Sequence, residues 1–372
     1  MILSRTPFRL SFFGGGTDYP AWYRREGGAV LSTTIDKYCY LSVRHLPPFF
    51  TTRHRVVWSH VETVGTIAEI LHPAVREGLR MLGYDDAAGI EIHHQADLPA
   101  RAGMGSSSSF AVGMIKALTA LRGRMIGKHE LALAAMHLEQ NVLGENVGSQ
   151  DQVAAAYGGF NLIEFRKSGE IRVDPVTARP ERLAELQRHL MLFYTGTSRF
   201  ASAIAGDMLA NLDARRAALL RMRTMVDEAL GILTGDGDIG DFGRLLHESW
   251  LLKRSLSPMI SNETVDELYA KGVKHGALGG KLLGAGSSGF LCFFVPPHKQ
   301  PNVLRALSGH LHVPFAFEDE GSRIIHYGVQ APVAPAETVA PARRELAGRQ
   351  PRAARTETAR PAETARAAGK TA

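Results

Sequence analysis

Apolar Phe8, Leu10 and Phe12 alternate with Arg9 and Ser11, the period-two pattern of a strand, with Arg9 on the opposite face. Three consecutive glycines, Gly14 to Gly16, then break it. Residues 30–43 are rich in β-branched and aromatic side chains and predict one or two strands. Pro47-Pro48 and Arg53-His54-Arg55 mark a loop or hairpin. A helix is expected over 72–82 and a short strand at Ile90 and Ile92. Phe110, Met114, Leu118 and Leu121 recur at helical spacing, as do Leu131, Ala135, Leu138 and Val142. Tyr157-Gly158-Gly159-Phe160 ends one helix and starts a strand. The second half opens on a strand at 189–194. Helical patterns run on to Leu233 and over 239–255, and 290–295 reads as a buried strand. The stretch 166–182 is polar and turn-rich, which predicts domains over 1–175 and 176–330.

The segment 331–372 changes that pattern. It holds seven Arg, Lys370 and four Glu among Ala, Pro and Thr, with no aromatic residue. Such a segment cannot bury enough surface to offset the entropy of ordering, so disorder is expected. It carries most of the net charge of +6. The nearly neutral remainder has no nucleic-acid footprint. No apolar run is long enough for a membrane span, and Met1-Ile2-Leu3-Ser4-Arg5 does not read as a secretory signal. Cys39 and Cys292, the two cysteines, predict no disulfide framework. A cytoplasmic location is the expectation. Oligomeric state is not readable.

The chemistry concentrates in small-residue loops. Residues 99–109 read Pro-Ala-Arg-Ala-Gly-Met-Gly-Ser-Ser-Ser-Ser and run directly into the helical pattern. Gly103 and Gly105 permit tight turns and close backbone approach. A helix N-terminus behind them offers N–H groups and a positive dipole end to an anion, so the loop reads as a phosphate cradle. A flexible linker would not continue into an amphipathic helix. Gly284-Ala285-Gly286-Ser287-Ser288-Gly289 fits G-x-G-x-x-G, but a strand follows it where a dinucleotide site needs a helix. No His or Cys spacing suggests a metal site.

Three ordered motifs carry a resemblance: 7–19 (Pro-Phe-Arg-Leu-Ser-Phe-Phe-Gly-Gly-Gly-Thr-Asp-Tyr), 99–109 and 281–289. In order and spacing they are similar to the GHMP kinases, the family of galactokinase, homoserine kinase, mevalonate kinase and phosphomevalonate kinase. The resemblance spans residues 1 to about 330. Phe13–Tyr19, Ile35-Asp36-Lys37-Tyr38, His72–Glu77, Gln150-Asp151-Gln152 and Ala155–Phe160 are most similar to the group acting on D-glycero-D-manno-heptose 7-phosphate. Ser287-Ser288 departs from that group's glycine-richer third motif.

The resemblance implies an α+β fold with ATP between two domains. The N-terminal domain would resemble domain 2 of ribosomal protein S5, and the C-terminal domain would be ferredoxin-like. It implies ATP phosphates held by Pro99, Gly103, Met104, Gly105, Ser106, Ser107, Ser108 and Ser109, with Gly284, Ala285, Gly286, Ser287 and Gly289 forming the third loop. Mg²⁺ would take Ser107 (or Ser108) and Glu139, oxygen ligands of the kind it prefers. Asp151 would be the catalytic base at a helix start, with Arg9 across from it stabilising charge. Gly14, Gly15, Gly16, Thr17, Asp18 and Lys37 would face the sugar. A phosphorylated sugar needs a distal cation, for which Arg199, Lys253 and Arg76 are candidates. The implied reaction is transfer from ATP to the anomeric hydroxyl of heptose 7-phosphate, giving the 1,7-bisphosphate for nucleotide-activated heptose. Other sugar 1-kinases (fucose, galactose) and a non-catalytic sugar sensor are the alternatives. Asp151, Arg9, Glu139 and the serine loop, all present, argue against the sensor.

Overall fold

The computed structural model describes residues 1–47, 49–196, 206, 207 and 209–328. Arg199 and the segment 331–372 therefore lie outside the described residues. Two antiparallel-dominated sheets and ten α-helices organise what is described.

The large sheet is built on β1 (Ile2–Phe13) and β2 (Gly28–His45), with α1 (Pro20–Glu26) between them. Both faces of β1 are covered, so Arg9 lies in the interior rather than on an open face. β2 is one continuous strand where the sequence allowed two. It survives its length by changing partners: β6 (Asn161–Phe165) along 28–32 and β5 (Ile90–Ala96) along 39–45. Pairing slips between Pro7 and Phe8, where Pro7 faces Tyr38 and Phe8 faces Ile35. Proline has no N–H for the ladder, and the slip pushes Asp36 and Lys37 out of register. The expected hairpin is β3 (His54–Val57) with β4 (Val61–Val64). The order β12-β1-β2-β5-β3-β4, with β12 spanning Arg323–Tyr327, completes the main path.

Helices cover this sheet. α2 (Pro73–Met81) and α3 (Ser106–Leu121) stand where periodicity placed them. α3 is buried nearly all round and lies against β1 and β2. A Cβ on Gly113 would come within 2.8 Å of Thr6 Oγ1, so glycine permits that approach. The helix expected through Val142 divides into α4 (Lys128–Met136) and a π-helical turn, His137–Val142. α5 (Gln150–Tyr157) follows.

The polar stretch 166–182 contains a hairpin turn and then β7 (Ile171–Pro175), which pairs β6 in the large sheet. α6 (Pro180–His189) takes the residue expected to open the next strand, β8 (Leu190–Tyr194). β8 belongs to the small sheet, ordered β8-β10-β9, with β9 (Gly279–Leu282) and β10 (Phe290–Phe294). The helices that follow in this half are α7 (Arg216–Thr234), which lies against β1 and β2 of the large sheet, α8 (Gly240–Ser255) and α9 (Glu263–Lys274), which pack on the small sheet, and α10 (Gln300–Ala306). β11 (Phe317–Glu318) and β12 (Arg323–Tyr327) then return to β2 and β1 of the large sheet, although the sequence pattern assigned them to the second domain. Cys39 and Cys292 are buried and free.

Candidate active site

Arg9 and Asp151, far apart in sequence, meet beside the second half of β1. Arg9 Nε donates to Asp151 Oδ1 and Nη2 to Oδ2, each at 2.7 Å. This is the two-pronged geometry that fixes a carboxylate's orientation. Arg9 Nη1 donates to Gly103 O at 2.7 Å, and its backbone N–H to Met104 O. One buried guanidinium thus joins the first motif, the second motif and α5. Asp151 occupies the first turn of α5, where the helix dipole favours a negative charge.

The second motif turns through Gly103 and Gly105, with φ of 78° and 74°. A Cβ on Gly105 would press on both Arg9 Cγ and Asp151 Oδ2. α3 opens directly behind Gly105, and no side chain caps its first turn. Its free N–H groups make this end suited to an anion. The four serines divide their work. Ser106 Oγ accepts from Arg101 N and closes the loop. Ser107 and Ser108 each donate to Glu139 at 2.7 Å. Ser109 is buried and donates to Pro7 O, tying α3 to β1.

Glu139 lies in the π-helical turn and is 2% exposed. It accepts a third hydrogen bond from Gln152 Nε2. Burial pushes its carboxyl up to about 7 despite those donors. A buried carboxylate whose oxygens face two hydroxyls beside an anion-binding helix fits a hard, oxygen-seeking cation.

The profile for the GHMP kinases N terminal domain matches residues 66–159, spanning this loop, Glu139 and Asp151, and the profile for the GHMP kinases C terminal matches 217–313. The chain belongs to the GHMP kinase family. It is 30% identical, over 86% of its length and 97% of that protein's, to D-glycero-alpha-D-manno-heptose 7-phosphate kinase of Campylobacter jejuni. It is 26% identical to the Arabidopsis thaliana bifunctional fucokinase/GDP-fucose pyrophosphorylase, over 80% of this chain and 30% of that one. The solved D-glycero-D-manno-heptose 1-phosphate kinase from Bacteroides thetaiotaomicron superposes with a TM-score of 0.66 at 25% identity, covering 89% of this chain and all of that one. GHMP kinases are ATP-dependent phosphotransferases acting on alcohol groups, and this chain is a GHMP-family sugar kinase.

The third GHMP motif links β9 to β10, a strand-to-strand connection without the helix a dinucleotide site needs. It braces the second motif backbone against backbone: a Cβ on Gly103 would fall 2.3 Å from Leu283 O, and one on Gly289 2.3 Å from Ala102 O. Ser287, where the sequence departs from glycine, has a φ of 66°. Its N–H donates to Ile260 O and its carbonyl accepts from Asn262, so two partners hold a serine in a glycine-like conformation.

The remaining sequence-derived residues fall differently. Asp18 is 1% exposed; Oδ1 accepts from Gly16 N and Oδ2 from Gln150 N, clasping the first motif to the start of α5. Burial and the Asp151 charge raise its pKa. Thr17 Oγ1 lies within hydrogen-bond distance of Gly14 O in its own loop and of Ala29 O and N at the start of β2, tying the two together. Lys37 pairs with Asp36 in the irregularity after Pro7, and that pair turns toward Ala316 rather than toward Arg9. Arg76 binds Glu77 and Ile70 O on α2. Lys253 is committed to the carbonyls of Leu282 and Gly284. Both of these described cations thus have protein partners.

Sequence reading missed two groups. Gln152 directly follows Asp151, a spacing that could have flagged it. The aromatic cluster beside the loop could not be found that way: His72 stacks on Phe110 at 4.8 Å, Trp58 meets His72 edge-on, and His94 meets Phe110 edge-on. Its members come from four segments: the turn after β3, the residue before α2, β5 and α3.

Proposed function

We propose that this kinase phosphorylates the anomeric hydroxyl of D-glycero-D-manno-heptose 7-phosphate, giving the 1,7-bisphosphate. The observation that carries the chemistry is the Arg9–Asp151 pair beside the uncapped start of α3. The substrate choice is supported by the likeness to the Campylobacter jejuni heptose 7-phosphate kinase over nearly the whole of that protein. The product suits a nucleotide-activation step that follows sugar 1-phosphorylation.

In this reading the 103–108 backbone holds the ATP phosphates, and the ring cluster of Trp58, His72 and Phe110 offers the base an aromatic neighbour. Glu139 with Ser107 or Ser108 would hold Mg²⁺, which neutralises phosphate charge when bound. Asp151 accepts the proton of the attacking hydroxyl. Arg9 fixes both carboxylate oxygens and places positive charge beside the transferring group. Asp18 orders the Gly14–Gly16 loop from within, and that loop's backbone meets the sugar. Among the described residues no helix is long and apolar enough to cross a membrane.

ADP release with Mg-ATP, measured against heptose 7-phosphate, fucose, galactose, mannose and mannose 6-phosphate, tests the assignment. Strong turnover with heptose 7-phosphate alone is expected. Turnover only with an unphosphorylated sugar keeps the kinase and removes the heptose assignment.

A further inference from the structure

Two lysines lie beneath the three glycine loops without touching either proposed catalytic carboxylate. Lys281, on β9 and 3% exposed, donates to Phe12 O at 2.8 Å, just before the Gly14–Gly16 turn. Lys253, in the last turn of α8, donates to Leu282 O at 2.9 Å and to Gly284 O. Its Nζ also lies over the Trp250 ring, 5.9 Å from the centroid. These ties lead to the reacting centre. A Cβ on Gly284 would fall 2.3 Å from Gly103 Cα, so the two loops press together there. Gly103 O in turn receives Arg9 Nη1, and Arg9 holds Asp151.

The arrangement is costly for stability alone. Burying an ammonium against carbonyls leaves its desolvation poorly offset, and an apolar replacement of similar volume is often no less stable. Burial and the charges of Lys281 and Arg9 push the Lys253 amine well below its ordinary range. Burial and the Arg9 charge likewise lower the Lys281 amine, to about 7, while Cys292 and Asp18 act to raise it. A lysine nevertheless does here what shorter side chains cannot: its tetrahedral donors reach two carbonyls of one turn at once.

We propose that Lys253 is a positioning residue of the phosphate-binding apparatus. It holds the turn of the third motif against Gly103, so that the second motif is seated before ATP arrives. This rests on reading 103–108 as the ATP phosphate loop. The coupling runs from Lys253 through Gly284 and Gly103 to Arg9, and it acts on ATP more than on sugar.

The test is calorimetric titration of Mg-ATP into the full chain without sugar, wild type against Lys253→Met. Methionine keeps the length and removes the donors. Affinity is expected to fall by about tenfold, a loss of about 1.4 kcal/mol, while the melting temperature without ligand stays level or rises. The sugar KM should be unchanged and the ATP KM raised. Wild-type ATP affinity in a folded Lys253→Met protein overturns the proposal. Amide hydrogen exchange on the wild type gives a second reading that needs no variant. Mg-ATP should protect 284–289 together with 103–109, and protection of 103–109 alone overturns the coupling. A wild-type chain that binds no Mg-ATP defeats the phosphate-loop reading itself, an outcome the other two cannot mimic.

Discussion

A carboxylate gripped by both arms of a guanidinium cannot rotate away from its substrate. Arg9 is buried, whereas the Asp151 side chain keeps 24% of its surface, so the pair is anchored on the protein side and open on the other. Asp151→Asn retains the shape and removes the proton acceptor. Turnover should fall by about 10²–10⁴-fold, while Mg-ATP affinity in the absence of sugar stays within about threefold, near the precision of such comparisons. ADP release and calorimetry measure the two separately. Full turnover in Asp151→Asn would remove it as the base. The same scale explains Ser287: a residue that departs from glycine at φ 66° is tolerated because Ile260 and Asn262 supply its backbone partners.

Elements place these side chains and add properties of their own. α2 begins at Pro73, and His72 just before it is packed between Phe110 and Trp58. Its Nδ1 is buried without a hydrogen-bond partner, and burial pushes its pKa down to about 4 from an ordinary 6.5. The unfolded chain therefore binds a proton at His72 between those values that the folded chain does not. The contribution is fully present above pH 6.5 and is lost as pH falls through 4. His72→Phe keeps a stacked ring and removes the titration. Its urea midpoint should decline less between pH 7 and pH 5 than that of the wild type. Parallel declines would show that His72 does not titrate in this window.

At the scale of the whole molecule, the last described strands close the first sheet. β12 pairs the start of β1, β11 pairs the middle of β2, and Thr6 Oγ1 meets Ser322 Oγ at 2.8 Å across more than 300 residues of chain. Turnover is therefore expected to depend on these strands and not on the Ala/Pro/Arg-rich segment after them. A chain ending at Gln330 should keep wild-type turnover and melt within about 2 °C of the full chain, the shift of a change well under 1 kcal/mol. One ending at Ala316 should lose cooperative unfolding, because β1 loses β12 and β2 loses β11. Circular dichroism melts and ADP release distinguish these outcomes. Loss of turnover at Gln330 would give the terminal segment a role that its composition does not suggest.

Local chemistry made much of this legible from sequence. Glycines at Gly103, Gly105 and Gly284 announce turns because positive φ is steep for other residues, and the helical spacing after Ser106 shows what those turns serve. The alternation of Phe8, Leu10 and Phe12 marks β1, and its place in the first motif draws attention to Arg9. Asp151 followed by Gln152 could be singled out by resemblance, but its bond to Arg9 spans 142 positions and no local pattern encodes it. Lys37 and Arg76 illustrate another limit of local pattern: each meets a carboxylate on the adjacent residue, Asp36 and Glu77. Lys253 turns inward because the third motif offers it two carbonyls. The return of β11 and β12 to the first sheet is likewise beyond periodicity, which marks a strand and its faces but not its partner. Sequence alone determined the loops, most of the helices and the family chemistry, since each depends on residues close along the chain. Tertiary structure decided which charges meet, which are buried and which loops press together, since each depends on segments joined only when the core closes.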